Sequence, residues 1–345
     1  MSSPLTSDVG FRLVRAALVS ASRTVGTPIK PKGFGSRKGV PELEQGRGRI
    51  PRTRSGIVTP GLLLFKYLAS VQPPVGFPMS TQDHTAAPSD EPARLTIEGP
   101  IATITLNRPA AFNSINLSIA QKLEQLGAEV EANDAIRVLV IQGEGRAFSA
   151  GGDLQTIGAA AAADNIAPVV GELLKHYHAF IETVRRMPKI VLSSVHGSAA
   201  GAGMGLAFVT DLCIAAVDAR FTPAYAKIGV SPDGGSTVGM VGTVGTRRAL
   251  QIFLSEDNFT AQQAYEWGLI AKVVPAADLK AATRQLAERL AQNPPAAIAG
   301  TKSLVYQAAT TPVKQQLDAE EHKIIMAMNT DEFRAAVKKF TSKSK

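Results

Sequence analysis

"AIRVLVIQGEGRAFSAGGDLQ", residues 135–155, decides the fold. Its first nine residues form a short β-branched run of the kind that lies buried within a sheet. The side chains then shrink until the chain reaches Gly151, Gly152 and Asp153, where it hands over to a helix. Glycine suits unusual backbone angles, or places where another molecule must come close to the main chain. A helix start also presents N–H groups to an anion. The same arrangement recurs downstream. "KIVLSSVHG" (189–197) reads as a strand, and "VHGSAAGAGMGLA" (195–207) carries a second glycine-rich turn into a helix of small residues. "DLCIAAV" (211–217) is a third strand of this kind. Strand–helix alternation of this sort predicts an α/β body with a largely parallel sheet.

The elements on either side fit that body. "RLTIEGPIATITLNRP" (94–109) alternates apolar and polar residues on both sides of Gly99-Pro100, the pattern of a hairpin. In residues 117–134, Ile119, Leu123, Leu126 and Val130 recur at helical spacing. Residues 168–187 read as a helix ended by Pro188. From Thr260 onward helical patterns dominate, at 276–292, 295–309, 313–329 and 331–340. The sequence thus divides into a leader (1–92), an α/β core (93–259) and a C-terminal helical region (260–345).

The leader is rich in Pro, Gly, Ser and Arg and lacks sustained periodicity, so it reads as disordered or absent from the mature protein. It also decides how the net charge is understood. The 345-residue chain carries +8, but residues 1–78 alone hold twelve basic and three acidic residues, leaving the remainder at −1. The basic charge therefore does not argue for nucleic acid as a partner of the folded part. Two origins stay open for the leader. It resembles an organelle transit peptide, or translation starts at Met79. Location is accordingly read as cytoplasmic, with mitochondrial as the alternative. "GLLLFKYLASV" (61–71) has eleven residues with Lys66 inside, too short to span a bilayer. The single cysteine, Cys213, sits in an apolar run, which excludes a disulfide framework and reads as a buried thiol.

Two strand-to-helix corners stripped of side chains can aim two main-chain N–H groups at one point, as an oxyanion hole requires. They can equally serve close packing of helix on strand. Dinucleotide binding fails on "GAGMGL", where the sixth position is Leu206 rather than glycine. Neither a phosphate-binding GxxxxGK[ST] loop nor a GxSxG nucleophile elbow occurs.

Five stretches, "LNRPAAFNSIN" (106–116), "GRAFSAGGDL" (145–154), "VHGSAAGAGMGLA" (195–207), "DARFTPAYAKIGVSPDGGST" (218–237) and "AQQAYEWGLIAKVV" (261–274), resemble the crotonase superfamily of enoyl-CoA hydratases and isomerases. The resemblance runs from about Arg94 to the C-terminus. It implies the α/β crotonase fold, a spiral of ββα units with C-terminal helices used in trimerisation. It also implies a coenzyme A thioester as substrate, a homotrimer or dimer of trimers, and no separate cofactor. On that resemblance the N–H groups of Gly152 and Ala202 hold the thioester oxygen as it becomes an enolate. Ala111, Phe112, Ala150 and Gly151 line the path of the acyl-CoA, and Asp153 is only a helix cap.

The resemblance also locates the acid. The family's hydratases use two glutamates, which fall here at Gly205 and Tyr225. Neither is a carboxylate. Asp233, in "GVSPDGGST", falls where isomerase and dehalogenase branches carry a single acid, so it is the candidate catalytic group. Read without the resemblance, Pro-Asp-Gly-Gly is a turn, and an Asp ahead of a helix is an ordinary N-cap. An acid in an apolar acyl pocket is expected to have its pKa raised toward neutrality by burial. Tyr225 reads as an aromatic wall of the pocket with a hydroxyl able to donate. His196 reads as structural. His176 and His178, two apart on a helix, face different ways and make no metal pair. No metal is expected. Trp267 reads as core, and Phe333 and Lys339 as packing and solvated charge on the last helix.

Overall fold

The computed structural model describes residues 91–342. The expectations for residues 1–90, including the apolar stretch 61–71 and the start at Met79, lie outside the described residues.

The hairpin forms as read. β1 (Ala93–Glu98) pairs antiparallel with β2 (Ile101–Leu106) around Gly99-Pro100. Helix α1 (Leu117–Ala132) follows, and Ile119, Leu123, Leu126 and Val130 are all buried along it. β3 (Val138–Gly143) leads through the first glycine-rich corner to α2 (Leu154–Ala162) and the long α3 (Ile166–Arg186). β4 (Ile190–Val195), the short β5 (Ser198–Ala200), α4 (Ala202–Val209) and β6 (Leu212–Ala216) form the next unit. β7 (Arg220–Thr222) precedes α5 (Ser236–Ser255), which breaks at Gly245. β8 (Phe259–Thr260), α6 (Ala261–Glu266) and β9 (Lys272–Val274) follow. α7 (Leu279–Ala291), α8 (Pro295–Ala308), α9 (Val313–Met328) and α10 (Asp331–Ser342) complete the described chain.

Two sheets result. The larger has the order β1-β2-β3-β4-β6-β9, parallel throughout except for the β1–β2 hairpin. The smaller has the order β5-β7-β8. Alternation along β3 shows how the large sheet is covered. Leu139 and Ile141 face a core shared with α1 and α3, whereas Val138 and Val140 face a second cluster with Leu279 and Ala287 of α7.

Two details differ from the sequence reading. The region after Thr260 is not helical throughout, because Lys272–Val274 adds the edge strand of the large sheet. Three residues in a mostly helical stretch show no usable alternation, and their pairing with β6 is set by tertiary contact. The second difference lies at the leader's end. The Pro92 carbonyl accepts the Asn107 N–H at 2.8 Å, and Glu91 pairs with Lys122 at 3.0 Å, so both residues belong to the body.

Candidate active site

The first corner is gripped from both sides by main chain. On one side Phe148 N–H donates to the His196 carbonyl, and Ser149 N–H to that of Ser198; Ala200 N–H donates back to Ser149. On the other, Ala150 N–H donates to Phe112, Ile115 N–H to Gly151, and Asp153 N–H to Ile115. Phe112 is therefore held beside Ala150 and Gly151, with Ala111 preceding it in the chain. The Arg146 guanidinium lies 5.2 Å over the Phe112 ring. Asn113 holds the upstream loop in place by donating to the carbonyls of Glu144 and Ala147 and accepting the Arg108 N–H.

Gly151 answers for its own identity. Its φ is 85°, and a Cβ built on it would lie 2.5 Å from the Ala200 oxygen and 3.2 Å from the Ala202 nitrogen. The two glycine-rich corners thus meet here. Bonds to Ile115 on either side turn the Gly152 N–H away from that strand, and among the described residues it has no acceptor. Ala202 is the first residue of α4, where N–H groups lack intrahelical partners, and its N–H likewise has no acceptor among the described residues. The Ala202 carbonyl is held by the Tyr177 hydroxyl at 3.0 Å.

Asp153 is a cap, as expected. Its carboxylate accepts the Thr156 N–H, and it also takes the Arg108 guanidinium at 3.1 Å and the Ser114 hydroxyl at 3.2 Å. Burial alone would raise its pKa. The Thr156 N–H, the Arg108 charge and the Ser114 hydroxyl outweigh that and hold it below the usual carboxylate value.

Asp233 sits in the turn Pro232-Asp233-Gly234-Gly235, but it does not cap the helix behind it. The N-cap of α5 is Gly235, which makes no side-chain cap bond. The Asp233 carboxylate is half-buried and accepts the Tyr225 hydroxyl at 2.9 Å. That hydroxyl also lies 2.8 Å from Ser236 Oγ. The hydroxyl expected to donate from this aromatic wall is thus engaged by Asp233 and Ser236. The turn is close to the paired corners. A Cβ built on Gly234 would lie 3.5 Å from Ala202 Cβ and 2.6 Å from the Tyr177 ring. Burial, and then the Asp233 charge, pushes the Tyr225 phenol up; burial, Tyr225 and Asp233 do the same to Tyr177. Both phenols stay protonated and act as donors.

Gly205 faces this turn from α4, and a Cβ there would meet Ser236 Oγ at 2.2 Å. The volume a side chain needs at that position is already filled. Tyr177 and Ser236 were not singled out in the sequence. Tyr177 lies at helical spacing between Leu173 and Phe180 and reads as core, which it also is.

Among the described residues, none of the other candidate side chains bonds to Asp233, Tyr225 or Ser236. His196 Nε2 pairs with the Gly145 carbonyl at 2.9 Å, and His176 bridges Glu124 and Glu172. Among the described residues no group of three His, Cys, Asp or Glu side chains could hold a metal ion. Trp267 packs on Phe259 at 5.2 Å, under Arg248. Phe333 is half-buried on α10 and Lys339 is exposed. Burial pushes the Cys213 thiol up to about 12, so it remains unreactive. Two clefts of about 270 Å³ each share no residue with the cluster; one is lined by Arg137, Pro188 and Pro295, the other by Thr210, Cys213 and Ile270. Among the described residues no helix is long and apolar enough to cross a membrane.

Known proteins share this architecture. The chain is 35% identical to the 1,2-epoxyphenylacetyl-CoA isomerase of Escherichia coli over 72% of its own length and 94% of the relative's. It is 34% identical to a probable enoyl-CoA hydratase of Rhodobacter capsulatus, over 72% and 95%. Among solved structures, an enoyl-CoA hydratase from Polaromonas sp. JS666 superposes with a TM-score of 0.69 at 30% identity, covering 73% of this chain and 97% of that one. Residues 96–345 match the enoyl-CoA hydratase/isomerase family. With two glycine-rich corners meeting at Ala202 on an α/β spiral, the chain belongs to that family, within the crotonase superfamily.

Proposed function

We propose that this protein is an acyl-CoA isomerase that shifts a double bond through a thioester enolate. The N–H groups of Gly152 and Ala202 receive the thioester oxygen, and Asp233 moves the proton. Asp233 removes a proton from C2 of a 3-enoyl thioester, and the electron pair flows onto the thioester oxygen as a dienolate. The same group returns the proton at C4, leaving the double bond between C2 and C3. No atom is gained or lost, and no bound water needs activation. Donors placed around the developing oxyanion are worth about 2.7–4 kcal/mol each.

One observation carries this reading. Of the two carboxylates beside the meeting corners, Asp153 is taken up by Thr156, Arg108 and Ser114, which leaves Asp233, while the positions assigned by resemblance to the hydratase glutamates are Gly205 and Tyr225. Ser236 Oγ occupies the space a side chain would take at the first of these positions, and the second holds the phenol bonded to Asp233. The isomerase name of the 35% identical relative supports the same choice.

The test is an assay with 3-enoyl-CoA and 2-enoyl-CoA side by side, on wild type and Asp233→Asn. Isomerisation is expected in the wild type, with a loss of about 10²–10⁴-fold in the variant. Hydration of 2-enoyl-CoA without isomerisation would make the enzyme a hydratase with an unusual acid. Tight acyl-CoA binding with no turnover in either protein would make it a binding member of the family. A homotrimer or dimer of trimers belongs to the same reading. Val313, Leu317, Ile324 and Ile325 on α9 are exposed apolar side chains that such an assembly would cover, and sedimentation of the full chain reports it.

A further inference from the structure

We infer that Tyr225 is a positioning residue that fixes the carboxylate of Asp233, with Ser236 behind it holding the phenol in place. The inference rests on the reading of Asp233 as the proton-transfer group. A carboxylate only accepts, so the 2.9 Å contact must be donated by Tyr225. That spends the one proton of the phenol. The 2.8 Å contact between Tyr225 and Ser236 must then be donated by the serine. The chain therefore has one polarity, from Ser236 through Tyr225 to Asp233 Oδ1. Among the described residues Asp233 Oδ2 takes no hydrogen bond, so the second oxygen is left for the substrate.

The anchor is rigid where its load is not. Tyr225 is buried, 6% exposed, with its ring edge-on to Phe253 at 6.2 Å. Asp233 is half-buried in a turn between Pro232 and two glycines, where nothing else described binds its side chain. Without the phenol the carboxylate would be free to rotate about χ2 and to bring either oxygen, or neither, toward the acyl chain. Because Tyr225 spends its hydroxyl on Asp233 and Ser236, it acts on the reaction through them, and its loss shows in turnover and not in substrate affinity.

The experiment measures two rates on the full-length chain. One is isomerisation of 3-hexenoyl-CoA. The other is exchange of the C2 protons of hexanoyl-CoA in D₂O, which needs enolate formation but no product. Asp233→Asn should lose both. Tyr225→Phe should lose about 10–100-fold of both in kcat, with KM within about twofold of wild type. Ser236→Ala, which keeps the phenol but frees it, should lose about two- to tenfold. The serine variant also serves as the test if Tyr225→Phe fails to fold, as judged by its melting curve. Wild-type kcat in the folded Tyr225→Phe, or in Ser236→Ala when the tyrosine variant does not fold, overturns the inference alone provided Asp233→Asn is inactive. So does a rise in KM at constant kcat. Wild-type proton exchange in Asp233→Asn overturns the function reading itself, and the inference falls with it.

Discussion

Two corners of this molecule are written with the same residues in opposite order. At Gly151-Gly152-Asp153 the acid follows the glycines; at Asp233-Gly234-Gly235 it precedes them. The order decides the work. Asp153 stands at the N-cap of α2, so its carboxylate meets the Thr156 N–H, and Arg108 and Ser114 close around the rest of it. Asp233 stands two residues ahead of the α5 N-cap, out of reach of the helix's free N–H groups. Its main-chain oxygen takes the Ser236 N–H, while its side chain turns to Tyr225 alone. One acid is spent on the fold, and the other keeps an oxygen without a hydrogen bond among the described residues, the one the proposed reaction uses.

The sharpest way to break this comparison is to remove each carboxylate in turn. Asp233→Asn should abolish turnover by about 10³-fold and leave the melting temperature close to wild type. Asp153→Ala should do the reverse first. It removes a cap worth about 1 kcal/mol and strands the half-buried Arg108, for a total of about 2–3 kcal/mol read by denaturant unfolding. Its acid limb adds a sign. The Asp153 pKa is lowered in the fold, so its contribution is complete above the unfolded carboxylate value and is lost as pH falls through the folded one. Wild type should therefore lose more stability than Asp153→Ala on acidification below about pH 4. Equal melting curves for the two at neutral pH would show that the corners do not differ in this way.

Local chemistry was legible in the sequence wherever cause and effect lie a few residues apart. The hairpin at Gly99-Pro100, the apolar stripe of α1 and the capping role of Asp153 all follow from spacing. The shortage of acids came from the resemblance instead, which puts the hydratase glutamates at 205 and 225, where the sequence has Gly and Tyr. What the sequence withheld depends on contacts between distant segments. Arg108 reaches Asp153 across 45 residues, and Tyr177 reaches Ala202 across 25. The β5-β7-β8 sheet is built from strands of two or three residues, too short to show alternation. The Tyr225–Asp233 bond spans only eight positions, yet it depends on how the turn at Pro232 folds back. In the sequence Tyr225 therefore read as an aromatic wall with a hydroxyl able to donate, its acceptor unnamed.

A last set of variants separates the corners by what lies behind them. Helix α4 turns one glycine to each. A Cβ on Gly203 would lie 2.5 Å from the Ser149 carbonyl oxygen and 2.6 Å from Ser149 Cβ, in a segment pinned by main-chain bonds on both sides. A Cβ on Gly205 would meet Ser236 Oγ at 2.2 Å, with Ser236 Cα and Cβ at 3.2 Å. The first obstacle is backbone that cannot yield; the second is chiefly a hydroxyl that can rotate. Gly203→Ala should therefore cost about 3 kcal/mol, the upper end for overpacking, with no single compensating change. Gly205→Ala should cost nearer 1 kcal/mol. Rotating the serine to make room breaks its bond to Tyr225, so Gly205→Ala should also lower turnover about as far as Ser236→Ala does. Adding Ser236→Gly to Gly205→Ala should restore stability and leave turnover low, because it returns the space without the hydroxyl. Adding it to Gly203→Ala should restore nothing. If Ser236→Gly rescued both helix variants alike, the first corner would be as soft as the second, and the division between a corner that holds the fold and one that holds the acid would fail.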